Sequence, residues 1–298
     1  MAASVSQMAE AFSLGFKAQR SWGVLIALGL FLGGLGAGMF LVSQFMDFAA
    51  GALGGVLIMG LGALSFLSDL GRPWRFWRAY FRPVTSWMSR GVLFMTLFAL
   101  LGVLSVAPSL GIEALPWSKE GGLGMGLYWA AGVFAFLVMM YTGLLLSTPP
   151  AISFWNTTLL PALFLVYALL GGIDALLLWR ALLGDAWVSE AAVSLEALQL
   201  LLVTVSLIFI ALYLVIMGTS TISARASARL ILRGPLSRIF LGGVVAVGLV
   251  IPWLAGIYGI MTGVSSPALW AVASLLVLLG SFLFRYIILK VGLYSPPL

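Results

Sequence analysis

Long apolar stretches separated by short polar connections run through the whole of this 298-residue chain. Each stretch is about 20 residues long, the length of a helix that crosses a hydrocarbon layer about 30 Å thick. There are eight of them, at approximately 22–44, 49–67, 91–107, 123–147, 157–179, 196–218, 240–261 and 267–289. The pattern predicts an all-α polytopic membrane protein with eight transmembrane helices in one integral membrane domain, 1–298.

Two of the stretches differ from the others. The third, 91–107, is the shortest, and we expect its helix to extend at the C-terminal end. The first contains no small-residue cleavage site after its apolar run, so we expect it to be retained as a helix. Composition supports the membrane assignment, because charged residues make up 8% of the sequence against roughly 25% in soluble domains.

Basic residues are sorted strongly by loop. The side of the membrane that holds both termini carries all of the 15 Lys and Arg residues except Lys119 and Arg180. Because positive charge concentrates in cytoplasmic loops, this asymmetry predicts that both termini are cytoplasmic, and the net charge of +6 is no sign of nucleic-acid binding. Acidic residues fall mostly on the other side: Asp47, Glu113, Glu120, Asp185, Glu190 and Glu196.

Two basic loops follow the second and the sixth stretch, which suggests two four-helix halves, about 22–147 and about 157–289. In the second loop Arg225, Arg229 and Arg233 recur every four residues, which places them on one face of a helix. This spacing predicts a short interfacial helix, which either touches anionic lipid or forms a docking surface for a soluble partner.

Glycines crowd the first two stretches in G-x-x-x-G pairs, at 29/33, 34/38 and 51/55. This spacing lets helix backbones approach closely, so we expect tight helix packing there. The alternative is that the missing side chains leave a slot for a flat ligand between helices.

The sequence contains no histidine and no cysteine. Membrane b-type haem usually needs His ligands, iron–sulfur clusters need Cys or His, and zinc and copper sites draw on the same residues. We therefore expect no haem, no iron–sulfur cluster and no other metal site in this protein. Any electron transfer must involve a bound organic molecule or a partner subunit.

The densest polar stretch is 69–90. It reads in part as a Trp/Arg belt at headgroup level. Alternatively, Asp69 pairs with Arg72 where Gly71 and Pro73 end the second helix, which would hold an ionised carboxylate ready for proton transfer.

Three isolated polar residues lie within apolar stretches. Tyr141 is either a membrane anchor or a hydrogen-bond donor to a quinone carbonyl. Asp174 would cost at least about 2.5–3.5 kcal/mol if charged, so it should face the bundle interior. There it would be part of a proton path, the partner of a buried cation, or a protonated acid bonded between helices. Arg285 either snorkels to the membrane surface or acts as a counter-ion.

Several segments resemble the NrfD/polysulfide-reductase membrane-subunit family. They are 22–40, 69–73 (Asp-Leu-Gly-Arg-Pro), 85–91 (Thr-Ser-Trp-Met-Ser-Arg-Gly), 141–147 and 154–157 (Phe-Trp-Asn-Thr). The motifs cover about the first 160 residues, while the rest is similar in hydropathy and length. The resemblance implies a cofactor-free subunit of the cell inner membrane, without a catalytic centre of its own, that binds menaquinone or ubiquinone in a respiratory chain. Its partners would be a ferredoxin-like iron–sulfur subunit and, through it, a molybdenum-containing catalytic subunit.

The same resemblance implies site residues. Tyr141 matches the tyrosine that contacts quinone in the polysulfide-reductase member, and Asp69 falls where that member has an acidic residue. Ile26 and Gly29 stand near its polar helix-one contacts. Either another group supplies those contacts, with Asp69, Arg72 and backbone carbonyls as the candidates, or this protein holds quinone differently or weakly. The expected quinone site and proton relay is therefore Tyr141, Asp69 and Arg72.

We expect the iron–sulfur partner to dock on the cytoplasmic side against exposed arginines. They are Arg75, Arg78, Arg82, Arg225, Arg229 and Arg233. Asp174 would belong to a proton path from the other side, which would move charge across the membrane. The alternatives are a membrane anchor without a quinone site and a secondary transporter. Transporters show helices broken near the midplane, whereas Pro here gathers at helix ends, apart from Pro252.

Overall fold

The computed structural model describes residues 17–111, 116–184, 192–263 and 266–294. Over these residues it is helical without a named strand, and eight of its helices are long and apolar enough to cross a membrane, which confirms the predicted fold class. The membrane helices are α1 (Val24–Phe45), α2 (Ala49–Asp69), α3 (Trp87–Val106), α4 (Gly122–Ser147), α5 (Leu159–Leu183), α6 (Ala192–Thr219), α8 (Arg238–Thr262) and α9 (Pro267–Lys290).

The third membrane helix begins one turn before its predicted start. The hydroxyl of Ser86 accepts a hydrogen bond from the backbone N–H of Ser89 and so caps α3 at Trp87. At the other end a 3₁₀ turn, Ala107–Leu110, follows Val106, so this short apolar stretch extends at both ends.

A short surface helix, α7 (Ile222–Leu232), follows α6 and confirms the helix predicted from the arginine spacing. The hydroxyl of Thr221 caps its first turn by accepting from the N–H of Ala224. One face is buried, and on that face Ser227 donates a hydrogen bond to the carbonyl of Val291 beyond α9. The arginines occupy the exposed side.

Glycines on two sides of α1 let it pack closely against two neighbours. A Cβ at Gly55 of α2 would lie 2.5 Å from the carbonyl oxygen of Gly36, and a Cβ at Gly38 would overlap the carbonyl oxygen of Ala168 in α5. The glycines thus serve close helix contact, as the packing interpretation predicted. Helices α1 and α5 are central, because α1 contacts α2, α4, α5 and α9, and α5 contacts α1, α4, α6 and α9.

The first half of α8, Arg238–Val250, is wound as a π-helix, and the second half, Ile251–Thr262, as an α-helix. Pro252 lies just after the junction and has no N–H to donate into the preceding turn. Nearby, a Cβ at Gly248 would lie 2.6 Å from the Cα of Gly280 in α9. The change of winding therefore coincides with a close crossing of α8 and α9.

Two faces of the bundle can be distinguished by which connections they carry. We call basic face the side at which residues 17–20, residues 291–294 and the connections α2–α3, α4–α5 and α6–α8 lie, and opposite face the other side. On the basic face Ala18 bridges Leu293, and the side-chain amide of Gln19 donates to the carbonyl of Leu289. Which face is cytoplasmic stays a prediction.

Acidic residues on the opposite face include three that the structure describes. Glu196 binds Arg180, with 2.9 Å between Oε1 and Nη1, and Asp47 forms an ion pair with Lys119. Glu120 follows Lys119 and is exposed. The remaining predicted members of this group, Glu113, Asp185 and Glu190, lie outside the described residues.

Candidate functional site

Tyr141 belongs to α4 and lies in the half of the membrane nearest the basic face, with its ring against α3. Its side chain is 5% exposed, and its ring packs so closely on Gly91 that any side chain at position 91 would overlap it. The phenol makes no hydrogen bond to another residue that the structure describes. A phenol at this depth usually finds a hydrogen-bond partner, so this group is available to one that comes from outside the protein.

The first helix carries no polar group at the positions expected to face a quinone. A Cβ at Gly29 would lie 2.6 Å from the ring of Phe66, so this aromatic ring of α2 occupies the space beside Gly29. One turn further toward the basic face, the hydroxyl of Ser65 donates to the carbonyl of Leu25, with 2.9 Å between the oxygens. The space beside Gly29 is thus filled by Phe66 rather than open to a flat ligand.

The expected pair of Asp69 and Arg72 does not form. Both side chains are exposed, and neither makes an ion pair or a hydrogen bond to another described residue. The cause is local: α2 ends at Asp69, and the backbone turns through an extended Leu70 before Pro73. The carboxylate therefore faces solvent or headgroups, where it can still exchange protons with water.

The segment after α2 is a 3₁₀ helix, Pro73–Phe81, that carries Arg75 and Arg78 with exposed aromatic rings. Its Trp74 is 70% exposed. The hydroxyl of Tyr80 hydrogen-bonds that of Thr96 in α3, with 2.7 Å between the oxygens, and so holds the segment against the bundle.

The connection that follows this segment is held by Arg90. Its Nε donates to the carbonyl of Pro83 at 2.8 Å, and its guanidinium lies 4.5 Å from the ring centroid of Trp87. Arg82, just before Pro83, is exposed like Arg75 and Arg78, and these three have no carboxylate partner among the described residues. Arg90 therefore has a structural role. The three exposed arginines, which lack a carboxylate partner among the described residues, are available to an acidic group from another molecule.

The second arginine group lies on α7 and at its end. Arg225, Arg229 and Arg233 are exposed, and Arg225 donates from Nε to the carbonyl of Ser220 at 3.1 Å. Helix α7 packs on α6 and α8, whereas the 3₁₀ segment packs on α2 and α3. The two arginine groups therefore share the basic face but lie on different helices.

Asp174 is fully buried in α5, as predicted. The side-chain amide of Gln199 in α6 donates to its Oδ1 and also reaches the hydroxyl of Ser274 in α9 at 3.4 Å. Asp174 Oδ2 and Gln199 Oε1 have no hydrogen-bond partner within the described ranges. A carboxylic acid held between three helices thus keeps one free oxygen, which a proton path would require.

The prediction that Arg285 snorkels to the surface is wrong. Its side chain is fully buried, where Nη1 donates to the Ser281 hydroxyl at 2.5 Å. The guanidinium carbon lies 5.2 Å from the ring centroid of Phe164, 5.7 Å from that of Phe31 and 5.8 Å from that of Tyr167. Aromatic faces from α1 and α5 attract the cation and hold it in the interior.

Two further groups escaped the sequence interpretation. Trp155 donates from its indole nitrogen to the carbonyl of Ile288 at 2.8 Å and stacks on Trp22, so it joins the α4–α5 connection to α9. On the opposite face Gln44 and Tyr128 bind each other's backbone carbonyls. Trp155 lies in a motif that signalled its importance, whereas nothing in the sequence pairs Gln44 with Tyr128. No cluster of three or more potential metal ligands occurs within the described ranges.

Comparison with known proteins extends the resemblance to the whole sequence. The family model described as "Polysulphide reductase, NrfD" matches residues 13–297. The protein is 34% identical over 190 residues to "Protein NrfD" of Escherichia coli (strain K12), a match that covers 54% of this protein and 60% of that relative, less than two thirds of its length. It is 30% identical over 305 residues to the C subunit of the polysulfide reductase of Wolinella succinogenes, covering 91% of this protein and 94% of the relative. The matched region includes all eight membrane helices, beyond the first 160 residues that carry the motifs.

Proposed function

Because this protein belongs to the NrfD polysulphide reductase family, we propose that it is the membrane subunit of a multi-subunit oxidoreductase and exchanges electrons between a quinone pool and an iron–sulfur partner. The relative from Wolinella succinogenes is named as one lettered subunit of a polysulfide reductase, which supports membership of a complex with other subunits. The sequence has no His and no Cys, so the usual protein ligands of redox metals must come from a partner.

The phenol of Tyr141 is the observation that supports quinone binding most directly. It is buried beside Gly91, toward the basic face, and has no hydrogen-bond partner among the described residues. A quinone offers two carbonyl acceptors and, on reduction to quinol, takes up two electrons and two protons. Tyr141 fits this role as a hydrogen-bond donor to a quinone carbonyl. The first helix offers no contact to the quinone at Gly29, because Phe66 fills the space beside that residue.

In this proposal Asp69 and Arg72 act separately and not as an ion pair. Because both are exposed at the basic-face end of α2, Asp69 exchanges protons with water and Arg72 attracts anionic groups to the same edge. Protons taken up on reduction then pass from the surface carboxylate toward Tyr141. Asp174 lies deeper in the bundle and belongs to a separate proton path in this proposal.

The iron–sulfur partner docks on the basic face, which we place in the cytoplasm on the strength of its positive charge. The 3₁₀ segment presents Arg75, Arg78 and Arg82 beside exposed rings, and α7 presents a second arginine row. Arginine and aromatic residues are enriched at protein–protein interfaces, so a surface that carries both suits a partner protein. The protein would thus lie in the cell inner membrane with a catalytic subunit, of molybdenum type, attached through the iron–sulfur protein.

The experiment that tests this proposal starts from native membranes extracted in mild detergent. Mass spectrometry then identifies the proteins and the lipophilic molecules that co-purify with the protein. We expect an iron–sulfur protein and bound menaquinone or ubiquinone, and reconstituted quinone should be reduced or oxidised through the partner's clusters.

Two other outcomes would overturn the proposal. A partner without quinone, even after reconstitution with excess quinone, would make the protein a membrane anchor. If neither a partner protein nor quinone co-purifies, the result would favour a secondary transporter instead.

A further inference from the structure

A cleft of about 330 Å³ opens on the opposite face, far from the candidate quinone site. Its lining combines charged and polar groups with two apolar side chains: Gln44, Phe45, Asp47, Lys119, Glu120, Met125 and Tyr128. The volume lies in the range of small-molecule sites. Neither the proposed redox function nor the family comparison assigns a role to these residues.

The walls of the cleft are fixed by hydrogen bonds between α1 and α4. The side-chain amide of Gln44 donates to the carbonyl of Tyr128 at 2.5 Å, and the Tyr128 hydroxyl donates to the carbonyl of Gln44 at 2.9 Å. Between α1 and α2, Asp47 has a backbone φ of 56°, a left-handed conformation that glycine, asparagine and aspartate adopt more readily than other residues.

The charges of the cleft favour a cation. Asp47 and Glu120 supply two carboxylates, and Lys119 supplies one ammonium group that already pairs with Asp47. The Glu120 side chain has no partner among the described residues, so the cleft keeps one uncompensated negative charge. A ligand with a positively charged hydrogen-bond donor would complete it.

A buried hydroxyl without a partner among the described residues lies in the cavity next to the cleft. The hydroxyl of Ser43 is fully buried and has no hydrogen-bond partner within the described part of the protein. It lines a smaller cavity of about 30 Å³ that shares Gln44, Asp47, Lys119 and Tyr128 with the cleft. An unpaired buried hydroxyl thus lies in a cavity that shares four lining residues with the cleft.

The position of the cleft in the membrane indicates the kind of molecule that carries the cation. Phe45 ends α1 and is 72% exposed, and Met125, one turn into α4, is 48% exposed. These apolar side chains belong to the hydrocarbon layer, while Asp47 and Glu120 lie in the connections at headgroup level. The ligand therefore needs both an acyl tail and a small ammonium group.

We propose that this cleft binds a phospholipid with a primary-amine headgroup, with the ammonium against Asp47 and Glu120 and an acyl tail over Phe45 and Met125. Lys119 lies where it can meet the lipid phosphate. A trimethylated headgroup fits less well because it donates no N–H hydrogen bond, and an anionic headgroup is repelled by the excess carboxylate.

The test measures lipid binding to the full-length protein in detergent by native mass spectrometry. The probes are dioleoyl lipids with ethanolamine, choline or glycerol headgroups. We expect phosphatidylethanolamine to be retained best, and Asp47→Asn and Glu120→Gln each to lower its retention about threefold or more, as loss of a charge-assisted hydrogen bond predicts. Asparagine tolerates the left-handed backbone at position 47, so the first variant keeps the fold.

Asp69→Asn is the matched control, because it neutralises an exposed carboxylate on the basic face and should leave retention of phosphatidylethanolamine unchanged. Equal retention of the three lipids by the unmodified protein would overturn the proposal. So would full displacement of the lipid by millimolar glycerophosphoethanolamine, since that result would identify a water-soluble amine as the ligand.

Discussion

The ring of Tyr141 lies directly on the backbone of Gly91, at a distance that leaves no room for a side chain there. This contact joins α3 and α4 beside the candidate quinone site and fixes the direction of the phenol. Because the ring is held by shape, a single methyl group at position 91 can move the hydroxyl while every polar atom of the site remains.

We therefore expect Gly91→Ala to lower the affinity for a quinone analogue about tenfold and to destabilise the protein by about 1–3 kcal/mol through overpacking. Binding titrations and detergent unfolding curves measure the two effects. Gly60→Ala in α2 is the matched control, because a Cβ there meets nothing within 4 Å. Equal affinity in the two variants would contradict this account of the site.

Tyr141→Phe removes the hydroxyl and keeps the ring that packs on Gly91. Since the hydroxyl has no partner among the described residues, the free energy of unfolding should change little. Quinone affinity should fall by up to about tenfold, the worth of one hydrogen bond of about 0.5–1.5 kcal/mol. A loss of stability without a loss of affinity would show that the hydroxyl binds within the protein instead.

Asp174→Asn keeps the size of the side chain and an oxygen that accepts from Gln199, so the variant should remain folded. It cannot release a proton. If Asp174 belongs to a proton path, proton uptake from the opposite face should fall in proteoliposomes while quinone binding stays normal. Unchanged quinone turnover together with unchanged proton uptake would exclude this role.

At position 285 we expect methionine to be tolerated better than lysine, although lysine is chemically closer to arginine. Replacing a buried charge by an apolar side chain of similar size is often neutral or stabilising, so Arg285→Met should be tolerated within about 1 kcal/mol. Arg285→Lys should destabilise by about 2 kcal/mol or more, because an ammonium group loses the planar contact with Phe164 and remains charged. Detergent unfolding of both variants decides between them, and a more stable lysine variant would refute the role of stacking.

The two arginine groups can be separated by matched triple substitutions. Glutamine at positions 75, 78 and 82 should weaken binding of an acidic iron–sulfur partner and flatten its dependence on salt. Glutamine at 225, 229 and 233 should weaken partner binding too, because α7 presents the second arginine row of the proposed docking surface. Pull-down at two ionic strengths measures both effects, and unchanged partner binding by the second variant would show that α7 only touches anionic lipid.

The membrane helices and α7 were predictable because apolar length and a four-residue arginine spacing are local properties. The start of α3 was missed because Ser86 acts through a cap that depends on backbone geometry. The interior position of Arg285 was not predictable, since an arginine five residues from the end of a span usually reaches the surface. What holds it are rings from α1 and α5, which only the packed bundle brings around it.

The site residues show the same division. Burial of Asp174 followed from its place in an apolar stretch. Its bond with Gln199 joins residues 25 positions apart, and the contact of Gln199 with Ser274 joins residues 75 positions apart in the sequence. The pairing of Asp69 with Arg72 was inferred from three-residue spacing, which brings side chains together only on a continuing helix. The helix ends at Asp69, so that inference had no structural basis.

The bridge between Ala18 and Leu293, with the bond from Gln19 to Leu289, has a consequence for biosynthesis. The segment before α1 leaves the ribosome long before α9 is made. Ala18 and Gln19 therefore lack these partners while the intervening helices enter the bilayer. The bundle closes only when its last helix arrives. A premature stop codon in α9 would therefore leave the first helix without its anchor and expose the nascent protein to membrane proteases.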